Sequence, residues 1–100
     1  MVQATTPTFV LTLPQTVDLS QAANVYFTVT QGANILTKTG ADLTIDENVV
    51  SVFLSQEETL AFSVGSIELQ LNWTYQNGER ACTNVKTVSV DKNLLKKVVQ

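Results

Sequence analysis

The sequence predicts an all-β protein, an immunoglobulin-like antiparallel β-sandwich of about seven strands with a short C-terminal helical or extended tail. Three observations predict it. Apolar and polar residues alternate with period two in short segments rich in Val, Ile, Thr and aromatics, the pattern of a half-buried strand. Polar turn clusters separate these segments roughly every 8 to 12 residues, the spacing of a sandwich. The 100 residues, 44% of them apolar, are enough for one core and too few for two. A single domain over residues 1–100 is expected, with its core over about 8–90 and a tail at 91–100. A chain this short buries only about two-thirds of its unfolded surface, so pairing with a partner would add stability.

The first strand is expected over residues 8–13, where Phe9, Leu11 and Leu13 alternate with Val10 and Thr12 before Pro14 removes a backbone donor. After a polar connection, residues 24–30 set Val25, Phe27 and Val29 against Tyr26, Thr28 and Thr30, a core strand with a solvated back. The Gln31-Gly32-Ala33-Asn34 turn leads to a weaker strand at 35–39, and Gly40 punctuates before Leu43 and Ile45. Asp46-Glu47-Asn48 is a second polar turn, and a strand resumes over 49–54. Ser55 and Glu58 have capping-box spacing, so residues 56–60 should form one helical turn crossing between the sheets, with no role for Glu57 and Glu58 as a catalytic pair. Ile67, Leu69, Leu71, Trp73 and Tyr75 make the longest clean alternation, with Glu68, Gln70, Asn72 and Thr74 opposite. Asn77-Gly78 then signals a hairpin, with a type I′ turn placing both residues at positive φ. The return segment, 80–90, puts Cys82 in phase with Val88 and Val90 but not with Val85, which a bulge or a change of sheet near Lys86 would reconcile. In the tail, Leu94, Leu95, Val98 and Val99 fall at helical spacing behind Asp91, but ten residues do not hold a helix alone in water.

Several function classes lose their chemistry at this level. The chain has no histidine and one cysteine, which removes most zinc and copper sites, Ser-His-Asp and Cys-His catalysis, and any intrachain disulfide. The net charge is −3 and the six basic residues are scattered, apart from Lys92, Lys96 and Lys97, so nucleic acid is not an expected partner. The four glycines stand apart and make no phosphate-binding loop. The N-terminus has neither a basic n-region nor an uninterrupted apolar run, so no signal peptide and no membrane span are expected. Asp42, Asp46, Glu47 and Asn48 match no Ca²⁺-loop spacing and read as a solvated turn; no metal or cofactor is expected. Asn72-Trp73-Thr74 is formally a glycosylation sequon and reads as a chance one.

The remaining candidates are contact residues. Trp73 and Tyr75 share parity with Ile67, Leu69 and Leu71 and are expected to face the core. Cys82 is expected to be a small buried hydrophobe. Tyr26, on the polar side of its strand, is the better exposed aromatic. Gln76, Glu79 and Arg80 should form a polar edge at the hairpin tip, and Leu94, Leu95, Val98 and Val99 an apolar contact in the tail.

The segment order carries a resemblance. An opening strand, the Asp18-Leu19-Ser20 connection, the strand at 24–30, Val50-x-Val52-x-Leu54 followed by Glu-Glu-Thr, and a Gly-led strand ending in Asn77-Gly78 together resemble the immunoglobulin-like N-terminal domain of phage baseplate upper proteins of Gram-positive phages and prophages. The similarity spans residues 8 to 99. Where relatives often show Gly-x-Tyr, this chain has Gly65-Ser66-Ile67. The resemblance implies a non-enzymatic attachment module of a phage tail, made in the bacterial cytoplasm and located in the virion. Its partners would be other tail or baseplate proteins and copies of itself, and it would have no catalytic residues. The alternative reading is a carbohydrate or surface-ligand module, with Tyr26 and the loop tips at 31–34 and 46–48 making the contacts.

Overall fold

A computed structural model describes residues 1–99. Its elements are β1 (Thr8–Thr12), β2 (Ala22–Gln31), β3 (Asn34–Thr39), β4 (Leu43–Asp46), β5 (Val49–Phe53), α1 (Gln56–Leu60), β6 (Gly65–Tyr75), β7 (Arg80–Cys82) and β8 (Lys86–Val90), with 3₁₀ turns at Leu19–Gln21 and Gly40–Asp42. The strands form two antiparallel sheets, one ordered β1-β5-β4 and the other β3-β2-β6, with β7 and β8 in tandem on the far side of β6. In immunoglobulin order these are the B-E-D sheet and the C′-C-F-G sheet, with G interrupted, so the eight strands occupy seven positions.

Alternation builds the core directly. Antiparallel partners share a face, and the pairs Val25↔Trp73, Phe27↔Leu71 and Val29↔Leu69 point inward together. Opposite them, Phe9, Leu11, Val50, Val52, Leu43 and Ile45 line the inner face of the smaller sheet. The Phe9 and Phe27 rings meet at 6.2 Å between centroids. Phe27, Leu71, Val29, Val50 and Val52 are all fully buried, and each such side chain contributes about 1.5–3 kcal/mol relative to exposure.

The helical turn at 56–60 forms as its capping box predicts, between β5 of one sheet and β6 of the other. The Ser55 hydroxyl accepts from the Glu58 N–H at 3.2 Å, and the Ser55 N–H donates to the Glu58 carboxylate at 2.8 Å.

Two expectations at the hairpin are corrected, and they share a cause. Only Gly78, at φ 89°, takes positive φ; Asn77 does not, and the connection is a three-residue loop closed by Gly78 N–H to Tyr75 O at 3.0 Å and Tyr75 N–H to Glu79 O at 2.9 Å. This is a type I turn followed by a left-handed residue, not type I′. A two-residue Asn77-Gly78 loop would set Tyr75 opposite Arg80 and Trp73 opposite Cys82, turning the guanidinium toward the core at the Tyr75 position. The longer loop pairs Thr74 with Arg80 and Trp73 with Ala81, so Ala81 points inward and Arg80 is exposed, avoiding the burial of a charge. Cys82 then pairs with Asn72 on the outer face and is exposed, not buried. The phase is restored by a bulge at 83–85, after which Lys86 pairs with Leu69 and Val90 with Gly65. The return segment therefore stays in one sheet. Thr83 seals the break: its N–H donates to Leu71 O at 2.9 Å and its hydroxyl accepts from Leu71 N–H at 3.1 Å.

The ends of the chain meet at the α1 end of the sandwich. Val2 bridges Asp91 in parallel, with Gln3 N–H to Asp91 O at 3.0 Å and Asp91 N–H to Met1 O at 2.7 Å. This bridge holds residue 91 extended, and residues 92–99 follow without helix or strand, bending at Leu94 and Lys97, so the helical alternative for the tail is not realised; Gln100 lies outside the described residues. No helix among the described residues is long and apolar enough to cross a membrane.

Candidate functional site

The five-stranded sheet turns one face outward, and cross-strand pairing decides what it carries. Asn24↔Thr74↔Arg80, Tyr26↔Asn72↔Cys82 and Thr28↔Gln70 form successive rows, extended onto β3 by Tyr26↔Thr39 and Thr28↔Thr37. The outcome is a face of hydroxyls and amides with one aromatic ring. Tyr26 is 37% exposed there and lines a shallow depression of 390 Å³ with Thr28, Thr37, Asn72, Thr74 and Arg80. Arg80 is held over the sheet by Asn72, whose side-chain oxygen accepts from Nε at 3.3 Å and from a terminal nitrogen at 3.0 Å. Asn72, the sequon residue, is thus engaged within a strand.

Two of the predicted contact residues, Tyr26 and Arg80, come together in this depression. Gln76 and Glu79 line a separate, open depression with Gln21, Tyr75 and Asn77 at the hairpin tip. Leu94, Leu95, Val98 and Val99 lie at the other end of β6, an element of 11 residues, hence about 35 Å away along the strand. In the tail Leu94 is 91% exposed and Leu95, Val98 and Val99 are also exposed. What holds the tail is polar: the Gln56 amide donates to Val99 O at 2.7 Å and accepts from Val99 N–H at 2.9 Å, and the Asn93 amide donates to Gln3 O.

The loop tips expected to join Tyr26 do not converge on it. The Gly32 turn sits at the α1 end, where the Gln31 amide pairs with both the N–H and the C=O of Ser63. The Glu47 turn sits at the opposite end, where its carbonyl accepts from Leu19 N–H. Asn48 is committed to structure, donating to Leu13 O at 2.6 Å. Among the described residues no group of three potential acidic, Cys or His ligands comes together as a metal site.

Electrostatics are concentrated at one carboxylate. Burial opposes the ionisation of Glu58, but the Lys38 ammonium, 2.6 Å away, and the Ser55 N–H and hydroxyl together outweigh it and hold the carboxyl below its ordinary range. Glu58 therefore serves as a link, tying the cap of α1 to the edge strand β3. The Trp73 indole N–H donates to the Tyr75 hydroxyl at 3.0 Å, so the indole donor has its partner two residues along the same strand.

Comparison with protein-family models, with curated proteins and with solved structures found no match.

Proposed function

We propose that the domain is a non-enzymatic attachment module of a phage or prophage tail or baseplate, acting through protein–protein contacts. The observation that carries the attachment role is the tail. Four apolar side chains, Leu94, Leu95, Val98 and Val99, stand exposed on a segment tethered to the body by amide hydrogen bonds. Apolar residues concentrated on one exposed segment mark an interaction element, and a segment fixed in place loses less conformational entropy when a partner covers it. The assignment to a phage tail rests on the segment-order resemblance. Proteomic analysis of purified particles from the producing strain is expected to find the chain in the tail fraction, and a variant lacking residues 92–100 to be missing from particles while remaining folded. A chain found only outside particles would overturn the tail assignment.

A second reading is favoured by one specific observation, the Tyr26 depression, where an aromatic ring is surrounded by the hydroxyls and amides that sugars hydrogen-bond. A glycan array carrying the wild type and Tyr26→Ala tests it: binding lost in the variant supports this reading, and no binding by the wild type removes it.

A further inference from the structure

We infer that β1 is a pairing edge for a second copy of this chain, joined antiparallel about a twofold axis at Val10. The inference goes beyond the attachment role and concerns a different surface from the tail.

Strand β1 lies at the end of the β1-β5-β4 sheet and pairs on one side only. Which of its backbone groups are free follows from two hydrogen bonds. Leu54 N–H donates to Pro7 O and Leu13 N–H donates to Asn48 O, so odd-numbered residues turn their N–H and C=O toward β5. Thr8, Val10 and Thr12 therefore direct three N–H and three C=O groups to the open edge. A buried or covered edge must satisfy such groups, and an open one is a template for another strand.

The other edges are guarded. Edge strand β3 carries Lys38, tied to Glu58 of α1. Strand β4 ends in Asp46 next to Glu47. The free edge of β7 and β8 carries Arg80 on the outer face and Lys86 at the inward-facing position opposite Leu69, is broken by the bulge, and is bridged beyond Val90 by Val2. Within Thr8–Thr12 there is no charge, no proline and no bulge. Beside it runs a groove of 190 Å³ between Val10–Leu13 and the bulge residues Thr83 and Asn84, which the departure of residues 83–85 from the ladder widens.

The occupant follows from the segment's symmetry. Thr-Phe-Val-Leu-Thr reads nearly the same in both directions. Reversed against itself about Val10, it sets Val10 against Val10 of the second copy, and Thr8 against Thr12 twice, each a hydrogen-bonded pair. Phe9 meets Leu11 on the inner face, which extends both cores across the axis. On the outer face Val10, 61% exposed, gains a β-branched partner. No like charges confront each other. One patch thus complements itself, as a twofold interface requires, and the two three-stranded sheets become one of six strands.

The test is sedimentation equilibrium over a range of protein concentrations, with amide hydrogen exchange. Wild type is expected to form dimers, and the Thr8, Val10 and Thr12 amides to gain protection as concentration rises, while Phe9 and Leu11 are protected throughout. Val10→Lys is expected to weaken self-association at least about tenfold, and an equimolar mixture with Val10→Glu to restore it. Because residue 10 is exposed, both variants should keep the wild-type melting temperature at concentrations low enough for the wild type to be monomeric, which separates lost pairing from lost folding. Removing residues 92–100 should leave the dimer intact. A wild type that stays monomeric to about 1 mM, a dimer indifferent to Val10→Lys, or a dimer abolished by the tail deletion would each overturn the inference.

Discussion

The Tyr75 hydroxyl accepts the indole N–H of Trp73, a residue only 5% exposed, and removing it leaves a buried donor without its partner. Tyr75→Phe keeps the ring and should destabilise the domain by about 1–2 kcal/mol, read from urea unfolding followed by Trp fluorescence. Glu58 gives a pH-dependent counterpart. Its carboxyl has a folded value below the 4.5 of an unperturbed glutamate, so the ionised form stabilises the fold above that range, and the contribution is lost as pH falls through the folded value. Glu58→Gln should therefore lower stability by about 1 kcal/mol at neutral pH, and the two proteins should converge in acid. A difference that persists unchanged in acid would mean that the carboxylate's charge is not what matters.

At the scale of elements, the sequence is most legible where one local rule decides the outcome. The inward row Ile67, Leu69, Leu71 and Trp73, and the Ser55–Glu58 cap, both need only residues a few positions apart, and both stand as expected. The hairpin shows where local rules stop. Asn77-Gly78 fits either loop length; the choice depends on whether Arg80 faces the core beside Tyr75 or Ala81 faces it beside Trp73, which is a tertiary matter. One extra loop residue moved Cys82 outward and required the bulge at 83–85 to bring Val88 and Val90 back into phase. Tyr26 and Arg80 were each legible as exposed, but their meeting in one depression depends on β2 and β7 flanking β6. Gly78 is the pivot of this arrangement. A Cβ there would meet open space, so the penalty lies in φ alone, and Gly78→Ala should lower stability by about 1–2 kcal/mol. Native-state labelling of Cys82 should stay fast in that variant, since the register is held by Ala81 facing inward as well as by the turn.

Over the whole molecule, the two chain ends share one end of the sandwich but do different work: the spacing of Leu94, Leu95, Val98 and Val99 marks the tail as an apolar contact, whereas nothing periodic in residues 1–5 reveals their part. Gln3 and Ala4 are buried. The Gln3 amide donates to Phe62 O at 2.8 Å, its backbone N–H to Asp91 O, and Thr5 O accepts from the hydroxyl of fully buried Thr59 at 2.9 Å. These residues strap β8, α1 and the approach to β1 into one body. Residues 92–99 are exposed except for half-buried Asn93, and bond mainly through the Gln56 and Asn93 amides. Deleting residues 1–5 should therefore strip the partners from Phe62 O and from the Asp91 N–H and C=O and lower stability by roughly 3 kcal/mol or more, whereas deleting residues 92–100 should lower it by less than about 1 kcal/mol. Thermal unfolding of the two variants side by side decides the matter. If the tail deletion were the more damaging, the exposed Leu94, Leu95, Val98 and Val99 would be part of the fold's own support, and the attachment role assigned to them would fall.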